Sequence, residues 1–183
     1  MAVDIVYETH AVTTDNEAGL ATGWLPGQLS PQGRALAEQL GRRRRADGVI
    51  AVFVSDLRRA VETAEIAFRG TKLPIYPDAR LRECNFGELN GMPVALMAGQ
   101  RRRRVERPFP GGESYRQVVE RTAGFLRDLS RQWDGSRVVV IAHSANRWAL
   151  DHLLRGKPLD ALVDRPFEWQ EGWFYRVPAG WSG

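Results

Sequence analysis

Apolar residues gather in three short, nearly continuous runs: "VDIVY" (3–7), "VIAVFV" (49–54) and "RVVVIA" (137–142). Runs this short and this rich in β-branched residues read as strands buried on both faces, the setting of strands in the middle of a parallel sheet. Between the runs, apolar positions recur at helical spacing. Ser30 followed by Pro31 starts one helix, with Leu36 and Leu40 on its inner face. Leu57, Ala60, Val61, Ala64 and Phe68 form the stripe of a second. Ser114, with Gln117 three residues later, is a capping box that opens a third helix over 114–132. "NRWALDHLLRG" gives a fourth, closed by Gly156 and Pro158. "LPIYP" (73–77) and "GWFYRV" (172–177) supply two further strands, the last at a sheet edge. Strands alternating with helices predict an α/β fold with a mainly parallel central sheet flanked by helices. No repeat or linker breaks the pattern, so one domain over 1–183 is expected. The least regular stretch, about 88–112, is a candidate lid.

Composition narrows the class. Apolar residues make up 43% and charged residues 26% of 183 positions, as in ordinary globular chains. The lone Cys84 rules out an intrachain disulfide. The first ten residues lack a basic segment, and Asp4 and Glu8 break their apolar run, so they do not form a signal peptide and a cytoplasmic location is expected. No stretch has the length of a membrane span. The net charge is +4, and Lys72 and Lys157 are the only lysines. The runs Arg42–Arg45 and Arg101–Arg104 have no interleaved aromatic residue to stack on bases, so they are expected to be solvated and not to bind nucleic acid.

In open α/β sheets, ligands bind beyond the carboxyl ends of the strands. Here those ends carry His10, Thr13 and Asn16 after the first strand, Ser55, Arg58 and Arg59 after the second, and His143 and Ser144 after the third. Arginines in the first turn of a helix oppose its macrodipole, and a bound anion there reverses the sign of that interaction. The competing reading of Arg58 and Arg59 is exposed side chains paired by Asp56 or Glu62. Two histidines and an arginine can surround a phosphoryl group, one histidine attacking phosphorus while its partners hold the equatorial oxygens. An acid for the leaving oxygen is then needed, and Glu83 in "LRECNFGELNG" is the candidate; its alternative is a surface carboxylate paired with Arg80 or Arg82.

These stretches resemble the histidine phosphatases, the phosphoglycerate mutase-like superfamily. "THAVTTDN" (9–16) is similar to its Arg-His-Gly-x-Thr-x-x-Asn motif, and "SDLRRAVETA" (55–64) to the motif carrying its second arginine. "LRECNFGELNG" (81–91), "PGGES" (110–114) and "VVVIAHSANRWAL" (138–150) follow in family order. The resemblance implies that His10 is the nucleophile, Glu83 the acid and base, and that Arg59 and His143 complete the catalytic set. It also implies that Asn16 and Thr13 lie at the phosphate site, where Ser144, Arg58 and Arg82 are further candidate donors from the reading of the residues themselves. It implies hydrolysis of a small phosphate ester through a phosphohistidine, with no metal or other cofactor.

Thr9 stands where the family has arginine. A lost charged hydrogen bond costs about 1.5–3 kcal/mol. Three readings follow: Arg58, Arg82, Arg147 or one of Arg101–Arg104 fills the place; acid–base chemistry is redirected to a non-phosphate substrate; or the site only binds an anion or a partner. The aromatic segment 167–177 is expected to pack on the core or form a homodimer surface rather than a substrate wall, and His152 lies away from the strand ends.

Overall fold

The computed structural model describes all of residues 1–183. Its elements run β1 (Ala2–Thr9), α1 (Thr14–Glu17), β2 (Leu20–Ala21), α2 (Pro31–Arg44), β3 (Ala51–Ser55), α3 (Arg58–Ala67), β4 (Ile75–Asp78), β5 (Met92–Pro93), α4 (Val94–Ala98), α5 (Tyr115–Gln132), β6 (Arg137–Ala142), α6 (Ser144–Arg155), α7 (Leu159–Asp164) and β7 (Trp173–Pro178). Three 3-10 turns, Ala79–Leu81, Gly87–Leu89 and Arg101–Arg104, complete it.

Five strands form one sheet in the order β4-β3-β6-β1-β7. The pairs β3–β4, β3–β6 and β1–β6 are parallel, and only the edge strand β7 runs antiparallel, against β1. This is the α/β architecture that the apolar runs predict. β3 is buried along its whole length and β6 from Val138 onward. The pleat divides the strand side chains between two cores. Val3, Ile5 and Tyr7 join Phe125, Leu126 and Leu150 of α5 and α6 on one face. Val6, Val52 and Val54 meet Leu40 and Ala64 of α2 and α3 on the other.

Parallel pairing brings the ends of β1, β3 and β6 side by side, with Thr9 opposite Ala142 and Val54 opposite Ile141. His10, Arg59 and His143 therefore meet although they are far apart in sequence. α2 packs tightly beneath the first of these ends: a Cβ on Gly33 would lie 1.8 Å from the carbonyl oxygen of Val12.

Two stretches are more ordered than the sequence pattern predicts. The loop after His10 contains α1 and β2, and β2 pairs with β5 from the 88–112 segment. That segment folds into short elements instead of an irregular loop, and Val105 and Phe109 anchor it in a third apolar cluster with Tyr115 and Trp148. The arginine runs are not simply solvated. Arg44 is buried against Glu8, Arg45 donates to the carbonyl of Ala67, and Arg101 stacks on Trp148, because each long side chain can cover apolar or carbonyl surface with its stem. No helix is long and apolar enough to cross a membrane.

Candidate active site

The sheet ends open into a cavity of about 510 Å³. Thr9, His10, Asn16, Arg59, Glu83, His143 and Ser144 all line it.

His10 follows the last residue of β1, and its backbone N–H bonds to the carbonyl of Ala142. Its Nδ1 lies 2.7 Å from the carbonyl oxygen of Ala11, a group that only accepts, so Nδ1 carries the proton and Nε2 holds the lone pair. Burial and the neighbouring Arg59 guanidinium lower its pKa to about 3, so the ring is neutral at pH 7. The next turn of chain is tied down by Thr63, whose hydroxyl accepts from the N–H of Ala11 and donates to the carbonyl of Arg59.

Arg59 is the electrostatic centre of the site. It is 2% exposed, and its donors go to the carbonyls of Gly23 (2.8 Å) and Leu25 (3.3 Å), to His10 Nε2 (3.3 Å) and to His143 Nδ1 (3.4 Å). Glu83 and Asp15 act on it only through space. A buried guanidinium with no carboxylate in contact has lost its hydration without gaining a counter-ion, a situation that favours a bound anion.

His143 caps α6, and its Nε2 faces the Ser55 hydroxyl at 2.9 Å. Because Nδ1 accepts from Arg59, Nε2 is the protonated nitrogen. Burial, Arg59 and His10 hold its pKa well below the usual histidine value. The rings of His10 and His143 stand 5.0 Å apart. Ser144 is the first residue of α6, and its hydroxyl donates to Glu83 Oε2 at 3.1 Å, while Oε1 accepts from the N–H of Cys84 at 2.7 Å.

The turn carrying Glu83 is held from behind. Arg121 of α5 donates to the carbonyls of Arg80 and Arg82, both at 2.7 Å, and of Glu83 at 2.9 Å. It also grips the Glu113 carboxylate, which accepts from the N–H of Asn85. Trp24 Nε1 donates to the same Glu83 carbonyl at 2.7 Å. The alternative reading of Glu83 as a surface partner of Arg80 or Arg82 does not hold. Arg80 pairs with Asp78 and Asp128, Arg82 pairs with Asp56, and Glu83 is 9% exposed.

Three residues expected at the phosphate site lie elsewhere. Thr13 is fully buried and caps α1, accepting from the N–H of Asn16 because a four-residue helix needs a side-chain acceptor at its start. Asn16 returns the bond through Oδ1, which leaves its amide N–H groups for the cavity. Arg58 points out of the first turn of α3 and is exposed. Arg82 stacks on Trp24 at 4.6 Å while bidentate to Asp56, so it supports the acid turn from outside. Arg147, another candidate to replace the missing arginine, is drawn to buried Asp151 and the ring of Trp173. Of the arginines nominated for that place, only Arg101 lines the cavity.

Sequence reasoning missed Arg43, Phe167 and Trp169, which also line it. The aromatic segment is therefore shared: Trp173 and Tyr175 enter the core, but Phe167 and Trp169 form cavity wall. His152 bonds to Arg116 and to the carbonyl of Lys157, away from the site. No group of three or more His, Cys, Asp or Glu side chains is placed to hold a metal ion.

The family model for the histidine phosphatase superfamily (branch 1) matches residues 9–170. The chain belongs to that superfamily. Among its relatives, a 2,3-bisphosphoglycerate-dependent phosphoglycerate mutase of Methylobacterium sp. is 33% identical over 86% of this chain and 83% of the relative. A metal-independent phosphoserine phosphatase of Arabidopsis thaliana is 32% identical over 76% of this chain and 63% of that protein. The solved structure of YhfR from Bacillus stearothermophilus superposes with a TM-score of 0.83 at 26% identity, covering 97% of this chain and 96% of that one. A mycobacterial glucosyl-3-phosphoglycerate phosphatase in complex with VO3 superposes with a TM-score of 0.78 at 26% identity over 87% and 85% of the two chains. The superfamily relatives thus include both mutases and phosphatases.

Proposed function

We propose that this member of the superfamily hydrolyses phosphomonoesters without a metal, through a phosphohistidine on His10. The observation that carries the reading is buried Arg59, which has no carboxylate in contact and donates to the lone pair of a neutral His10.

An incoming phosphoryl group takes the donors of Arg59, which frees His10 Nε2 to attack phosphorus in line. The P–O bond to the leaving group breaks, and Glu83 gives that oxygen its proton. Asn16 and the first turn of α6 add donors to the equatorial oxygens. Ser55 serves either tautomer of His143, because a hydroxyl both donates and accepts; with Ser55 donating to Nε2, the Nδ1–H of His143 turns to the phosphate. Water then attacks the phosphohistidine, Glu83 accepts its proton, and inorganic phosphate leaves. Arg101 supplies cationic charge that an arginine at position 9 would otherwise give.

Phosphate release from a panel of phosphomonoesters tests this, with His10→Ala and Thr9→Arg alongside. Turnover by the wild type, none by His10→Ala and no gain in Thr9→Arg is the expected result. A silent wild type that Thr9→Arg switches on would instead mean a site turned away from phosphate.

A further inference from the structure

The cavity extends well past the groups that a phosphoryl transfer uses. At about 510 Å³ it has the size of pockets that enclose whole small molecules. On the α2 side it is lined by Leu36, Leu40 and Arg43, residues spaced i, i+4 and i+7 along one face of the helix. That stripe is about 10 Å long at the rise of an α-helix. Phe167 and Trp169 line the same cavity.

Arg43 is the cation of this arm, and its neighbour has taken the good acceptors. Arg44 donates to Glu8 at 2.7 Å, to Asp47 at 3.0 Å and to the carbonyl of Glu171 at 2.8 Å, so all three of its nitrogens are engaged. Arg43 has only distant carboxylates, 3.8 Å to Glu8 Oε2 and 3.6 Å to Glu171 Oε1, both beyond hydrogen-bond length. Its Nε is buried with no partner at all. Its side chain is 22% exposed, open to the cavity yet largely out of bulk water. A guanidinium in that state binds a carboxylate or phosphate through paired, charge-assisted hydrogen bonds.

We propose that Arg43 determines substrate choice: the ester carries an apolar body, laid along Leu36, Leu40, Phe167 and Trp169, that ends in a second anionic group held by Arg43. This deepens the phosphatase reading and rests on it. The chemical class is a phosphomonoester of an alcohol or phenol of ring size or longer with a distal carboxylate or phosphate.

The test uses two aryl phosphates that share a propanoyl tail, one ending in carboxylate and the other in the neutral amide. Wild type should favour the carboxylate in kcat/KM by at least about tenfold, as expected for a charged hydrogen bond. Arg43→Gln should bring the ratio near one, and Arg43→Lys should keep part of it, since charge remains but the fork is lost. The ratio is measured within each folded variant, so a general loss of stability does not move it. Equal use of both substrates by wild type, or a ratio that survives Arg43→Gln, overturns the proposal. The phosphatase reading fails separately, by absence of any phosphate release. In that event calorimetry with the phosphate-free phenol acid and its amide still reads the subsite: preference for the acid, lost in Arg43→Gln, supports it, and equal binding overturns it.

Discussion

Arg121 touches neither cavity nor substrate, yet its loss should appear as a defect in proton transfer. Its guanidinium holds the carbonyls of Arg80, Arg82 and Glu83 together with the Glu113 carboxylate, more ties to the turn that aims Glu83 than Trp24 or Arg82 supplies. Each charged hydrogen bond is worth about 1.5–3 kcal/mol. They are not additive, because Arg121→Lys keeps one or two of them and Trp24 Nε1 still donates to the Glu83 carbonyl. A loss of roughly 3 kcal/mol is the expectation for Arg121→Lys, which a domain stable by about 5–15 kcal/mol survives. The effect on rate should depend on the leaving group. General acid catalysis contributes about 10²–10⁴-fold where the leaving oxygen needs a proton. A p-nitrophenolate leaves almost unaided, whereas an alkoxide does not. For Arg121→Lys, kcat/KM should fall less than about tenfold on p-nitrophenyl phosphate and about a hundredfold on glycerol phosphate. Glu83→Gln should give the same asymmetry in stronger form. Equal losses on both substrates would refute the positioning role and leave Arg121 as a purely structural tie.

Four further outcomes follow from the same geometry. With its pKa lowered to about 3 by burial and Arg59, His10 stays unprotonated through pH 5, so the pH–rate profile should show no loss centred near 6.5 from this ring. The neutral ring is favoured in the fold, so its contribution to stability is complete above about pH 6.5 and declines as pH falls toward 3. The full loss is at most about 5 kcal/mol, read from denaturant midpoints at pH 7 and pH 4. Asp151 is fully buried and accepts from Arg155, Lys157 and the Tyr175 hydroxyl with Arg147 close by; Asp151→Asn should cost about 3 kcal/mol, the low end for a broken buried ion pair, in chemical denaturation. Gly33→Ala should push the Val12 carbonyl and the loop beyond His10 aside, costing about 1–3 kcal/mol and lowering kcat more than it raises KM; unchanged kinetics would show that the loop shifts without disturbing His10.

Strand ends were the legible part of this molecule. Continuous β-branched runs locate β1, β3 and β6, parallel pairing brings their ends together, and His10, Arg59 and His143 stand at those ends in both sequence and structure. Glu83 is legible in the sequence as a candidate acid but not separable there from a surface carboxylate, because what distinguishes the two is that Asp56, Asp78 and Asp128 occupy the nearby arginines. Thr13 was misread since a threonine three residues from an asparagine can equally cap a helix or hold a ligand. Arg43 was illegible within a run of four arginines. Its difference from Arg44 depends on which one reaches Glu8, 36 positions before Arg44, and the carbonyl of Glu171, 127 positions after it.

β1 lies between β6 and β7, and both its partners belong to the last third of the chain. On the ribosome this has a cost in time. β1 emerges with a hydrophobic edge on either side, and about 130 further residues must follow before either edge can be covered. At about 5–20 residues per second, that wait is on the order of ten seconds. Asp4 and Glu8 interrupt its apolar run, and in the nascent chain they serve as charged gatekeepers against pairing with other chains. The same topology orders the assembly of the cavity: His10 and His143 meet only once β6 has paired with β1.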